Sequence, residues 1–167
     1  LEPNIFLFTT LVKVWTKTPK HVREAEAALE QYIQYVCEEE TSVDLVTHLF
    51  FWVLSMWTRS RLPDAPYRSE YWLNRVLELY STGKHPLLSP SSEMFQYVMS
   101  AYAKAHHPNA PDVAERLIRT MRTLKASHNL DLLKTSTMNA ALRCYSFAVH
   151  GEAGLHAERI LDEMERS

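Results

Sequence analysis

The chain has 167 residues, 46% of them hydrophobic and 23% charged, the make-up of an ordinary globular domain able to bury about 70% of its unfolded surface. Its three glycines, Gly83, Gly151 and Gly154, exclude a glycine-rich phosphate loop and argue against a turn-rich sandwich or barrel. A formal net charge of −2 argues against a strongly basic nucleic-acid binder, although the distribution of charge can override the total.

Apolar residues recur at three- and four-residue steps along the chain, which predicts helices. In chain order these fall at 4–18, 20–37, 43–59, 67–81, 91–105, 111–127, 134–149 and 154–166. Thr18-Pro19 reads as an N-cap followed by a first helical position. Leu45 to Thr58 carries no charge, is too short to span a membrane, and predicts a helix buried between neighbours. Pro63, Pro66, Pro108 and Pro111 stand where paired helices meet, and Ser81 to Pro90 forms a longer connection. From Ala114 to Leu124 an apolar stripe faces a side that carries Arg116, Arg119 and Arg122.

The helices repeat as pairs. The aromatic residues Trp15, Trp57, Tyr102 and Tyr145 lie 42, 45 and 43 residues apart. A small residue followed by glutamate recurs in each second helix: Ala25-Glu26, Ser69-Glu70, Ala114-Glu115 and Ala157-Glu158. Three residues after each glutamate stands Leu29, Leu73, Ile118 or Leu161, and six after it Tyr32, Val76, Met121 or Met164. A constant period of this size predicts stacked helical units sharing one continuous core. The expected fold is all-α: a right-handed α-solenoid of about four stacked antiparallel helix pairs with a concave face. The units are 4–37, 43–81, 91–127 and 134–166, within a single repeat domain. The chain opens without methionine and its units stop at repeat edges, so it is expected to be part of a longer array, with any targeting segment outside it.

The stretches Phe8-Thr-Thr-Leu-Val-Lys-Val-Trp-Thr-Lys17, Met138-Asn-Ala-Ala-Leu-Arg-Cys-Tyr-Ser146 and Ala157-Glu-Arg-Ile-Leu-Asp-Glu-Met164 resemble pentatricopeptide repeats, in an expanded form longer than about 35 residues. The Trp-x-x-Leu-Gly-x-x-Tyr opening of tetratricopeptide repeats is missing, and HEAT-type repeats lack this second-helix pattern. The resemblance covers all four units and is weakest in the second. It implies single-stranded RNA as the partner, a mitochondrial or plastid location, and a role in RNA processing, translation or ribosome assembly. It also implies base-reading residues near the start of each first helix: Thr9, Gln96 and Asn139, with Phe51 in the second unit unable to read a base edge. The accompanying positions before the first helices are Val46, Ser91 and Lys134.

Independently of the resemblance, Lys17, Arg59 and Lys104 each follow the aromatic landmark by two residues, and Phe147 breaks the series. In stacked repeats such residues form a column suited to phosphates, although helix C-terminal ends favour cations without any ligand. Lys104 to Lys125 is cation-rich, whereas Glu24, Glu26, Glu30 and Glu38 to Glu40 make the first pair's second helix acidic and suited to a protein partner. A protein-binding scaffold of the same shape is therefore the alternative reading.

No enzyme, cofactor, metal, membrane or small-molecule substrate is expected. His106-His107 lacks completing ligands nearby, and Cys37 and Cys144 have neither disulfide spacing nor a nucleophile signature.

Overall fold

In a computed structural model, residues 10, 14–15, 21–39, 44–83, 88–146 and 152–165 are described. Among them the fold is all-α, with seven helices and no strand. They are α1 (Val22–Glu39), α2 (Asp44–Ser60), α3 (Ala65–Ser81), α4 (Ser92–Lys104), α5 (Ala110–His128), α6 (Thr135–Tyr145) and α7 (Glu152–Glu165). Of the helix expected at 4–18, Thr10, Val14 and Trp15 are described and helical; Thr9, Lys17 and the Thr18-Pro19 cap lie outside the described residues.

The prolines explain where the second helices begin. α3 and α5 start at Ala65 and Ala110, one or two residues before the sequence-based boundaries, because Pro66 and Pro111 fit the first turn, where the backbone N–H has no intrahelical acceptor. α6 stops at Tyr145, four residues short of the expected boundary, and Ser146 caps it with its backbone N–H on the Leu142 carbonyl.

Left-handed residues follow four of the helices: Arg61 (φ 57°), Gly83 (φ 64°), His106 (φ 49°) and Asn129 (φ 54°). Asn129 is suited to this conformation, and its N–H reaches the carbonyls of Leu124 and Lys125. His106 has the same role after α4: its N–H bonds the Ala103 carbonyl at 3.1 Å, and the His107 N–H bonds that of Tyr102 at 3.1 Å.

The chain divides into two compact units, Leu1–Pro90 and Ser91–Ser167, parted in the connection that follows α3. In the first unit α2 packs against both α1 and α3. Leu29, Phe50, Val53, Leu54, Trp57, Trp72 and Leu73 are almost completely buried, with the Phe50 and Trp72 rings edge to face at 5.8 Å. Each such side chain contributes about 1.5–3 kcal/mol by leaving water. In the second unit α6 packs against α4, α5 and α7, and α4 also meets α5. Its core includes Phe95, Val98, Met99, Leu117, Ile118, Met121 and Ala141.

Burial repeats along the first helices of the pairs. Phe50, Phe95 and Met138 are buried, as are Val53, Val98 and Ala141, Met56, Ala101 and Cys144, and Trp57, Tyr102 and Tyr145. Phe51, Gln96 and Asn139, the residues after the first set, all retain solvent access. The second helices repeat less evenly. Leu29, Leu73 and Ile118 are at most 1% exposed, whereas Leu161 is 47% exposed and does not act as a core residue.

Candidate nucleic-acid interface

Gln96 and Asn139 are each the fifth residue of their helix, α4 and α6, which pack together. Both helices begin from an extended residue, Ser91 (φ −109°, ψ 156°) before α4 and Lys134 (φ −88°, ψ 157°) before α6. The same entry geometry followed by the same apolar pattern turns the fifth residue away from the core in each. Gln96 is half-buried and Asn139 exposed, and each amide both donates and accepts hydrogen bonds.

Charge at this edge is balanced. Lys134 Nζ lies 4.0 Å from Glu93 Oε1, joining the starts of the two helices. The Glu93 carboxyl is held below its ordinary value, first by a backbone N–H at the helix start and then by the Ser91 hydroxyl and Lys134. Glu93 therefore stays anionic at the start of α4 and works against a phosphate approaching there, which Lys134 partly offsets. Phe51 occupies the corresponding place in α2 and is half-buried.

Arg59 and Lys104 are exposed in the last turns of α2 and α4. Lys104 stands eight residues beyond Gln96, about 12 Å along the helix axis. Ser91 and Lys134 are N-cap residues, as expected of positions before a first helix, whereas Val46 lies inside α2, which starts two residues earlier at Asp44; of Val46, as of Cys37, the helical backbone alone is described.

The cationic helix α5 presents Arg116 and Arg119 to solvent, with Arg119 3.8 Å from Glu115 and Lys125 3.2 Å from Asp131. The acidic helix α1 departs from expectation. Glu24 and Glu30 are exposed, but Glu26 is 7% exposed and belongs to the interior. Its Oε1 accepts the indole N–H of Trp57 at 3.1 Å, the indole N–H of Trp72, and Arg68 Nε at 3.0 Å, with Arg68 Nη2 at 2.7 Å. Two tryptophan donors and a guanidinium make burial of this carboxylate tolerable.

A matching arrangement stands in the second unit. Glu115 Oε2 accepts the Tyr145 hydroxyl at 3.2 Å, and His156 Nδ1 lies 3.5 Å away with its ring stacked on Tyr145 at 5.9 Å. The two clasps use equivalent places. Each glutamate follows the small residue of a second helix, and each aromatic is the landmark of the next pair, 31 or 30 residues on. The basic residue, Arg68 or His156, comes 11 residues after the aromatic. Sequence reasoning identified the glutamates and aromatics separately and missed that they bond; the spacing of 30 to 32 residues from each glutamate to the next landmark aromatic is the signal that carried the relation.

The histidine pair and the described cysteine are structural. His107 Nδ1 accepts the Asn109 N–H at 3.2 Å, and its ring meets Tyr102 edge to face at 5.1 Å. The buried Cys144 thiol donates to the Met99 carbonyl at 3.2 Å, and burial pushes its pKa up to about 12. Among the described residues no three potential ligands gather as a metal site, and no helix is long and apolar enough to cross a membrane. The chain matches no protein-family model, no curated protein and no solved structure.

Proposed function

We propose that this chain is a pentatricopeptide-like module that binds single-stranded RNA, acting in a mitochondrion or plastid in RNA processing, translation or ribosome assembly. In this reading the helices form about four antiparallel pairs stacked as a right-handed α-solenoid. The packing of α4 on α6, first helices of consecutive pairs, supports it, as do the two equivalent clasps. The observation that carries the RNA reading is the shared place of Gln96 and Asn139: fifth in their helices, after the same buried pattern, and open to solvent. They would read base edges with Thr9, while Lys17, Arg59 and Lys104 meet phosphates. The module binds and positions RNA; catalysis and cofactors have no part in the reading.

The test is titration of the full chain with a mixed pool of labelled single-stranded RNAs and with homopolymers, at two salt concentrations. Binding should weaken with salt, and Asn139→Ala should narrow the spread of affinities among homopolymers. No binding at micromolar protein and low salt would overturn the reading.

A protein-binding scaffold is the second reading, favoured by Phe51 at a base-reading place and by two exposed aromatics on α3, Tyr67 (56%) and Tyr71 (44%). Arg68 lies over the Tyr71 ring at 4.8 Å, a pairing of residue types enriched where proteins meet.

A further inference from the structure

The solvent-accessible side of each first helix follows one pattern. On α4 it includes Glu93, Gln96, Ser100 and Lys104, at steps of three, four and four residues. On α6 it includes Ser136, Asn139 and Arg143, at steps of three and four. The same places on α2 are His48, Phe51, Ser55 and Arg59, and they too keep solvent access. Such steps set residues one above another along one side of a helix. The access is a property of the repeated pattern, because α4 keeps this side open with both α5 and α6 packed on it.

The cation on this side moves in the fourth pair. Arg59 and Lys104 each stand eight residues after Phe51 and Gln96, whereas eight after Asn139 the sequence has Phe147. Arg143 instead comes four residues after Asn139, in the place of Ser55 and Ser100. Four residues put it about 6 Å along the axis from Asn139 and about 40° round the helix. Arg143 is exposed in the last turn of α6 and is the one charged residue of that helix. Other arginines have acids within their own helices: Arg75 pairs with Glu78 at 2.7 Å, and Arg119 lies 3.8 Å from Glu115. Among the described residues nothing takes up the Arg143 guanidinium or the Asn139 amide.

We propose that Arg143 is the phosphate-binding residue of the fourth pair, holding the backbone of the nucleotide whose base faces Asn139. The inference rests on the RNA reading and adds to it a residue outside the Lys17, Arg59 and Lys104 series. A guanidinium offers a planar fork of donors that fits two phosphate oxygens at once, and no carboxylate on α6 competes for it. The division of labour is then set by helical geometry: the amide meets a base edge, and one turn further on the charge meets the backbone. Helix C-terminal ends favour cations without any ligand, but that role acts on stability and leaves the salt dependence of RNA binding unchanged.

The test titrates the full chain with labelled single-stranded RNA homopolymers across a range of salt concentrations. Arg143→Gln should weaken binding and flatten the slope of log K against log salt by about 0.7, with the ranking of the homopolymers kept. Arg143→Lys should restore most of the slope, since a point charge still meets a phosphate. Arg159→Gln, which removes the same charge from an exposed place on α7, should leave the slope as in the wild type. Circular dichroism should be the same for all three, because both side chains are exposed. RNA binding by the wild type with an unchanged slope in Arg143→Gln would overturn this proposal alone. So would an equal flattening in Arg159→Gln, or a reordered ranking without a change of slope. A wild type that binds none of the homopolymers at micromolar protein and low salt would overturn the RNA reading and this inference with it.

Discussion

Glu26 on α1 accepts the indole N–H of Trp57 on α2 at 3.1 Å, across 31 residues of chain and inside the protein. Arg68 and Trp72 on α3 converge on the same carboxylate oxygen, so one side chain ties three helices.

Removing that carboxylate strands two buried indole donors and part of a guanidinium. Glu26→Ala should cost about 2–4 kcal/mol, less than a fully buried pair because Arg68 is partly solvated. Trp57→Phe should cost about 1–3 kcal/mol through its bond to a charged acceptor and lost volume. Urea unfolding midpoints measure both; a Glu26→Ala loss below about 0.5 kcal/mol would show that the clasp adds nothing to stability.

Glu115 and Tyr145 should be energetically coupled. A double-mutant cycle of Glu115→Gln and Tyr145→Phe is expected to give an interaction of about 0.5–1.5 kcal/mol. Strict additivity would mean that the 3.2 Å contact contributes nothing.

Alkali should weaken the second unit. Burial pushes the Cys144 thiol from its ordinary 9.0 up to about 12. A group whose folded pKa is raised has its full stabilising effect below its unfolded value and loses it as pH climbs toward the folded one. Stability should therefore be level from pH 7 to about 8.5 and fall from about pH 9 upward. Tyr145, raised by burial and then by Glu115, acts in the same direction above its ordinary 10.0. Unfolding midpoints at pH 7, 9 and 10.5 should drop less steeply in Cys144→Ala; an identical drop would remove Cys144 as a cause.

RNA affinity should report the cations through salt. Neutralising Lys17, Arg59 and Lys104 together should flatten the slope of log K against log salt by about 2, at about 0.7 for each phosphate contact on a single strand. An unchanged slope would place phosphate contacts elsewhere, with the exposed arginines of α5 next to be tested.

The turn after α5 depends on Asn129 being left-handed at φ 54°. Asn129→Val should cost about 1 kcal/mol or more, whereas Asn129→Gly should be neutral or slightly stabilising. Thermal unfolding of the two variants separates them; equal melting temperatures would mean that this residue leaves the left-handed region.

The all-α class and the seven described helices were legible in the sequence, because a 3.6-residue period and proline punctuation are local signals. Boundaries moved by a few residues where first-turn proline or a left-handed terminal residue decided them. Gln96 and Asn139 were singled out through the family resemblance alone; their solvent access follows from the apolar pattern around them, which sets the side of a helix that faces away from the core. What tertiary structure decided was the fate of polar groups. Glu26 and Glu24 lie two residues apart on one acidic helix, yet one is clasped inside by tryptophans and the other faces solvent. Leu161 carries the core signature of Leu29 and Ile118 and is nevertheless exposed. Sequence by itself determines helical phase and the residue type at each place. Burial of a given side chain depends on which other helix covers it, a non-local fact that arises when the chain brings residues 30 to 46 positions apart into contact.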